Sequence, residues 1–250
     1  MNSEQLYELN TKGYSIFRNL ISEDHLVKMQ SAVDTVLESN DPCVRANHFF
    51  LAHNFSSSLL EIIKYNPLQG IIDNVLGDTC IIHSFNGITL RPSLANPIQN
   101  AVHRDSPRFC RPYLLSLQVI VLLDDFTKEN GGTYVLPGSQ YLEEKPSDEY
   151  FYKNAVQIEG KSGDLVLFDA MLWHAGGTNK TNVQRRALTI VYSRSFMKQQ
   201  IDLTKATQKA IIDNADANLL RLLGFNVRVP SCIDEFNLPS EQRLYKSNQG

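Results

Sequence analysis

At 250 residues, with 42% apolar and 20% charged positions, the chain has the composition of a soluble globular protein with one large core. Its 24 basic and 27 acidic residues leave a net charge of −3, which gives no basis for a nucleic-acid or anionic-membrane partner and points to a small-molecule one. No run approaches the roughly 20 apolar residues of a membrane span, and MNSEQLYELN at the start carries no leader-like stretch. The scattered Cys43, Cys80, Cys110 and Cys232 form no CxxC pair and read as free thiols, so a cytoplasmic protein is expected. A homodimer stays open.

In chain order, GYSIFRNL (13–20) reads as a short strand. Ser22 then offers an N-cap to a helix in which Leu26, Met29, Val33, Val36 and Leu37 recur at helical spacing. A second helix is expected from about Ser58, bent or broken at Pro67 and stopped at Gly77. The middle of the chain changes character. Segments 79–92, 113–125, 132–139, 154–160, 163–170 and 185–196 are β-rich and punctuated by Gly, Pro and Asn. Their turns are too short for βαβ crossovers, so an antiparallel barrel or sandwich is expected. Helical character returns over 201–225, before a polar tail with Pro230 and Pro239. The expectation is one domain over 1–250: helical decoration to about 78, a β core over about 79–196, and a C-terminal helix and tail from about 197.

The segment AVHRDSPRF (101–109) sets His103 and Asp105 two residues apart, which puts both side chains on one side of an extended chain. His174, after the strand-like GDLVLFDA, can supply a third ligand. Two imidazoles and a carboxylate on one face of a metal form the facial triad of non-haem Fe(II) oxygenases, with room for a bidentate 2-oxo acid and O2. An arginine fork suits the far carboxylate of such an acid. Arg185 and Arg186 begin the next β-run, and alternation lets only one of them point inward. Gln118 and Ile120 share one face of their strand, and Gln118 carries a donor. His25, His48, His53 and His83 have no partner at ligand spacing and read as structural or exposed.

HRD (103–105), ENGGTYVLPGS (129–139), GDLVLFDAMLWHAGGTNKT (163–181) and RRAL (185–188), in that order, resemble the phytanoyl-CoA dioxygenase family of Fe(II)- and 2-oxoglutarate-dependent oxygenases. GYSIFRNLISEDHL and LLGFNVRVP extend the resemblance over roughly residues 10 to 230. It implies a mainly β fold with flanking helices around a double-stranded β-helix, the jelly-roll or cupin-like core. It further implies Fe(II) on His103, Asp105 and His174, 2-oxoglutarate as co-substrate held by Arg185 with Thr133 touching it, and O2 as oxidant. By strand parity either Gln118 or Ile120 can line the same pocket, and Gln118, with its donor, is the cofactor-binding candidate. The implied reaction is hydroxylation with release of succinate and CO2; desaturation, epimerisation and ring formation remain alternatives, and Asp105 argues against halogenation. Two departures stand out: Gln140 ends PGSQ, and His174 is followed by Ala175-Gly176-Gly177 in place of the commoner HGSG.

Arg104, Arg108 and Arg111 either pair locally or meet an anionic or carrier-linked substrate; Arg104 and Arg108 are the substrate candidates. Trp173 reads as core or as a screen for the metal, and Gly131-Gly132 as a hairpin turn. Segments 92–101 and 137–154 are long enough to form variable walls or a lid. A zinc hydrolase or isomerase on the same ligands, and a non-catalytic barrel module, are the rival readings.

Overall fold

The computed structural model describes residues 1–92, 101–106 and 108–243. Its nine strands are β1 (Tyr14–Phe17), β2 (His48–Phe50), β3 (Ile81–Leu90), β4 (Ser116–Leu122), β5 (Tyr134–Val135), β6 (Val156–Gln157), β7 (Leu165–Asp169), β8 (His174–Ala175) and β9 (Arg185–Ser193). Six of them form a sheet in the order β1-β7-β4-β9-β3-β2, and three form a second sheet, β6-β5-β8. Every ladder among the described residues is antiparallel.

Strand alternation divides the large sheet into two faces. Leu117, Val119, Val121, Leu165, Leu167, Leu188, Ile190 and Tyr192 face the helices α2 (Glu23–Leu37), α3 (Ser57–Lys64) and α4 (Asn66–Leu76), and form the main core with them. The other face turns toward the small sheet. There Ile120, Val166, Phe168 and Ala187 pack with Val135 and Ile158. Both faces of β4 and β7 are covered, so every residue of these two strands is buried.

Several elements differ from expectation. A helix, α1 (Ser3–Lys12), precedes β1; Asn2 and Gln5 close a capping box at its start, and Gly13 at φ 83° ends it. Ser22 stands at the N-cap of α2 but makes no side-chain cap bond. The helix expected from about Ser58, bent or broken at Pro67 and stopped at Gly77, is observed as such: two helices part at Tyr65 (ψ 109°), Pro67 lies in the first turn of α4, and Gly77 stands at its C-cap. Proline carries no N–H and its ring crowds the carbonyl one turn back, so the break falls ahead of it. The expected helix over 201–225 is three short ones: α6 (Leu203–Ala206), α7 (Lys209–Asp213) and α8 (Ala217–Leu222), after α5 (Asp148–Asn154) within the 137–154 segment. Asn54 holds the first break open, donating to the Ala206 carbonyl and accepting from the Gln208 amide. Asp216 caps α8 through the Leu219 amide. Most of segment 92–101 and the last residues of the tail lie outside the described residues. Among the described residues no helix is long and apolar enough to cross a membrane.

Candidate active site

A cavity of about 760 Å3 opens between the sheets, and His103, Asp105, His174, Gln118, Thr133 and Arg185 all contribute to its lining. His103 and His174 are far apart in sequence yet exchange both backbone hydrogen bonds, each N–H to the other's carbonyl at 2.9 Å. This single antiparallel bridge sets the two imidazoles side by side, ring centroids 4.2 Å apart. Asp105 completes the group: its Oδ1 lies 3.9 Å from His103 Nε2 and 3.7 Å from His174 Nε2. The three ligand atoms lie within 4.8 Å of one another.

The ring orientations follow from the backbone. Nδ1 of His103 lies 2.8 Å from the Ala101 carbonyl, and Nδ1 of His174 lies 2.9 Å from the Leu172 carbonyl. A carbonyl only accepts, so each Nδ1 carries the proton and each Nε2 turns a lone pair toward Asp105. Burial lowers the pKa of His174, against the pull of Asp105 and with the push of His103, so its ring stays neutral. Two imidazole nitrogens and a carboxylate, converging on one small space, are a donor set that fits a divalent first-row metal.

Arg185 lines the same cavity. It is 7% exposed, its Nε and Nη1 have no hydrogen-bond partner, and its guanidinium carbon stands 3.9 Å over the Phe126 ring. Burial pulls its pKa down to about 10, which still leaves it cationic at neutral pH. A buried cation with unused N–H groups facing a cavity is costly unless an anion enters. Gln118 turns an unpartnered, buried Oε1 into the same region. Arg186 points the opposite way. Its backbone N–H and side chain hold Asp124 at 2.7–2.9 Å, and Nη1 reaches Asp34 on α2 at 2.8 Å.

The other basic residues of the HRD segment turn away. Arg104 donates to the Glu143 carbonyl and stacks over Trp173 at 5.1 Å. Arg111 pairs with the buried Asp169 and lies over Tyr141. Neither they nor Arg108 line the cavity. Trp173 packs with Val102, Leu136 and Phe151, and its Nε1 donates to the Leu142 carbonyl; it too is absent from the lining. Gly131-Gly132 is more than a turn: a Cβ on Gly177 would meet Gly132 O at 2.6 Å, so the turn beside Thr133 lies directly against the segment that follows His174.

His83 is the residue that sequence reasoning missed. The β3–β9 register shifts between Ile82 and Ser84, and this bulge leaves both His83 and Ser84 on the cavity wall. In the sequence His83 reads as structural or exposed for want of a partner at ligand spacing, and no glycine marks the bulge that brings it to the wall.

The sequence profile of the family described as phytanoyl-CoA dioxygenase matches residues 9–187. The chain belongs to the phytanoyl-CoA dioxygenase family. Membership makes it an enzyme of the non-haem iron, 2-oxoglutarate-dependent dioxygenase class. Uncharacterized protein Rv1501 of Mycobacterium tuberculosis is 33% identical over 97% of this chain and 93% of its own. Dioxygenase andF of Emericella variicolor is 21% identical over 95% of this chain and 87% of its own. Among solved structures, EctD from S. alaskensis, determined with 2-oxoglutarate and 5-hydroxyectoine, superposes with a TM-score of 0.68 at 24% identity, over 77% of this chain and 76% of that one. The non-heme alpha ketoglutarate dependent carbocyclase SnoK from nogalamycin biosynthesis gives 0.63 at 17% identity, over 77% and 84%. At such identities the shared property is the fold.

Proposed function

We propose that this member of the phytanoyl-CoA dioxygenase family hydroxylates a small organic substrate, with His103, Asp105 and His174 holding Fe(II) and Arg185 binding the distal carboxylate of 2-oxoglutarate. The observation that carries the reading is the buried, unpartnered Arg185 facing the same cavity as the His-Asp-His group. The zinc hydrolase reading gives Arg185 no task. The two facing sheets, with the cavity between them, are read as a double-stranded β-helix, and the N- and C-terminal helices as its wrapping within one domain.

Fe(II) bound there would supply the redox chemistry with O2 that side chains lack, 2-oxoglutarate being the two-electron co-reductant that leaves as succinate and CO2. The chain's own contribution is orientation. The Ala101 and Leu172 carbonyls lock both imidazoles in the Nδ1–H tautomer. Asp105 adds the one anionic donor of the set. The Arg185 fork pins the far end of the oxo acid in one orientation. Phe126 covers the guanidinium and keeps water from it, which strengthens the ion pair. Thr133 and Gln118 offer a hydroxyl and an amide beside the same co-substrate.

The test is spectroscopic. Anaerobic protein with Fe(II) should develop a visible metal-to-ligand charge-transfer band when 2-oxoglutarate is added, and should release succinate on admission of O2. Protein replete with Fe(II) that shows neither would overturn the proposal, and succinate-independent turnover with Zn2+ would favour the hydrolase.

A further inference from the structure

The cavity has two chemically different halves. Toward Arg185 the inward residues of neighbouring strands are apolar: Ile88 pairs with Ala187, and Phe126 closes that end. Toward the opposite end hydroxyl groups and an imidazole share the wall with Val191 and Phe196. Ser84 lies across from Val191, Ser116 stands at the end of β4 across from Ser193, and the bulge adds His83. Ser84 and Ser116 line the wall of this half, and Nδ1 of His83 is buried there without a hydrogen-bond partner. Phe196, 53% exposed, and Lys198 stand on this half of the wall.

We propose that this half takes a neutral, hydroxyl-rich substrate of the sugar type, and that His83 determines specificity by hydrogen-bonding one of its hydroxyl groups. The inference rests on the dioxygenase reading and names its substrate class. An acyl chain entering here would strip water from His83, Ser84 and Ser116 and return no hydrogen bond, whereas a polyol satisfies each of them. An anionic substrate finds little to meet it. Arg104 and Arg111 are committed to Glu143, Trp173 and Asp169, and beyond Arg185 the lining offers a single lysine, exposed. The His83 ring already donates to the Lys198 backbone, which leaves its unpartnered Nδ1 as an acceptor for a substrate hydroxyl. The open face of Phe196 suits the C–H face of a saturated ring. A site built to hydrogen-bond a hydroxyl discriminates strongly against molecules without it.

The experiment uses the Fe(II) enzyme with a panel of methyl and octyl glycosides, octanoyl-CoA as the contrasting probe, and succinate release as readout. Glycosides should raise succinate formation about tenfold above the substrate-free rate, with octanoyl-CoA inert. His83→Phe should raise the KM for the active glycoside about tenfold and the KM for 2-oxoglutarate less than about twofold, and His83→Gln should recover most of the loss. Ser84→Val provides an independent variant should His83→Phe fold poorly. Stimulation by octanoyl-CoA alone, by no glycoside, or an unchanged glycoside KM in both variants overturns the substrate class. Failure of the charge-transfer band and of all succinate release overturns the dioxygenase reading instead, and the substrate class with it.

Discussion

Arg185 and Arg186 are adjacent in the chain and lie on opposite faces of β9, the first over Phe126 with two unpartnered nitrogens, the second clasped by Asp124 and Asp34. Two guanidinium groups thus have opposite electrostatic situations: one lacks an anion, the other holds two. Arg185→Ala is expected to weaken 2-oxoglutarate binding by about 2–4 kcal/mol, the worth of a charge-assisted fork in a dry site. Arg186→Ala should leave 2-oxoglutarate affinity near wild type and lower stability by about 1–3 kcal/mol, since its partners are partly exposed. Titration of 2-oxoglutarate against the charge-transfer band, alongside thermal melts, separates the two. Equal losses of affinity would contradict the division of roles.

Metal binding is expected to stabilise the fold. At an Fe(II) concentration near a hundred times its Kd the gain is about 2.7 kcal/mol, or a rise in Tm of about 5–10 °C for a chain of this size. Chelation should reverse it. In His174→Ala the shift should vanish, and anaerobic melts with and without Fe(II) read this directly.

The close approach of Gly177 to Gly131 and Gly132 leaves no space for a side chain, with three backbone atoms 2.6–2.8 Å from a Cβ built there. Gly177→Ala is therefore expected to cost about 2 kcal/mol or more and to displace the segment after His174. The expected signature is a lower Tm together with weaker Fe(II) binding. A wild-type melt with wild-type metal affinity would show that the two segments can part without consequence.

His53 gives the fold a pH dependence. It is 1% exposed, lies 3.0 Å from Thr207 Oγ1, and burial lowers its pKa to about 4. The unfolded chain, with an ordinary histidine, binds the proton first. The stability contribution is therefore full above about pH 6.5 and is lost as the pH falls toward 4, on the order of 3 kcal/mol in all. His53→Gln should flatten denaturation midpoints across that window, measured in urea between pH 4 and 7; an unchanged slope would assign the dependence to other groups.

Local pattern made much of this protein legible. The spacing of Leu26, Met29, Val33 and Val36 marks α2 and its buried face, and the alternation of β4 separates Gln118 and Ile120 from Leu117 and Val119. Alternation likewise divides Arg185 from Arg186. These are properties of one strand or one helix, set by the 2.0 and 3.6 periods of the backbone. Breaks were harder to read: three short helices replace the one expected over 201–225 because Asn54, from a distant segment, satisfies the backbone at the first interruption.

Sequence by itself singled out the residues to which the proposed chemistry is assigned, namely His103, Asp105, His174 and an inward arginine, because residue type and local periodicity are written in the chain. Tertiary structure alone decided how they are used. The two histidines meet through a backbone bridge between remote segments, the arginines around them are drawn off by Asp169, Glu143 and Trp173, and a one-residue bulge turns His83 into the cavity. Pairing, register shift and competition for partners depend on what lies across the sheet, and no window along a single strand contains that information.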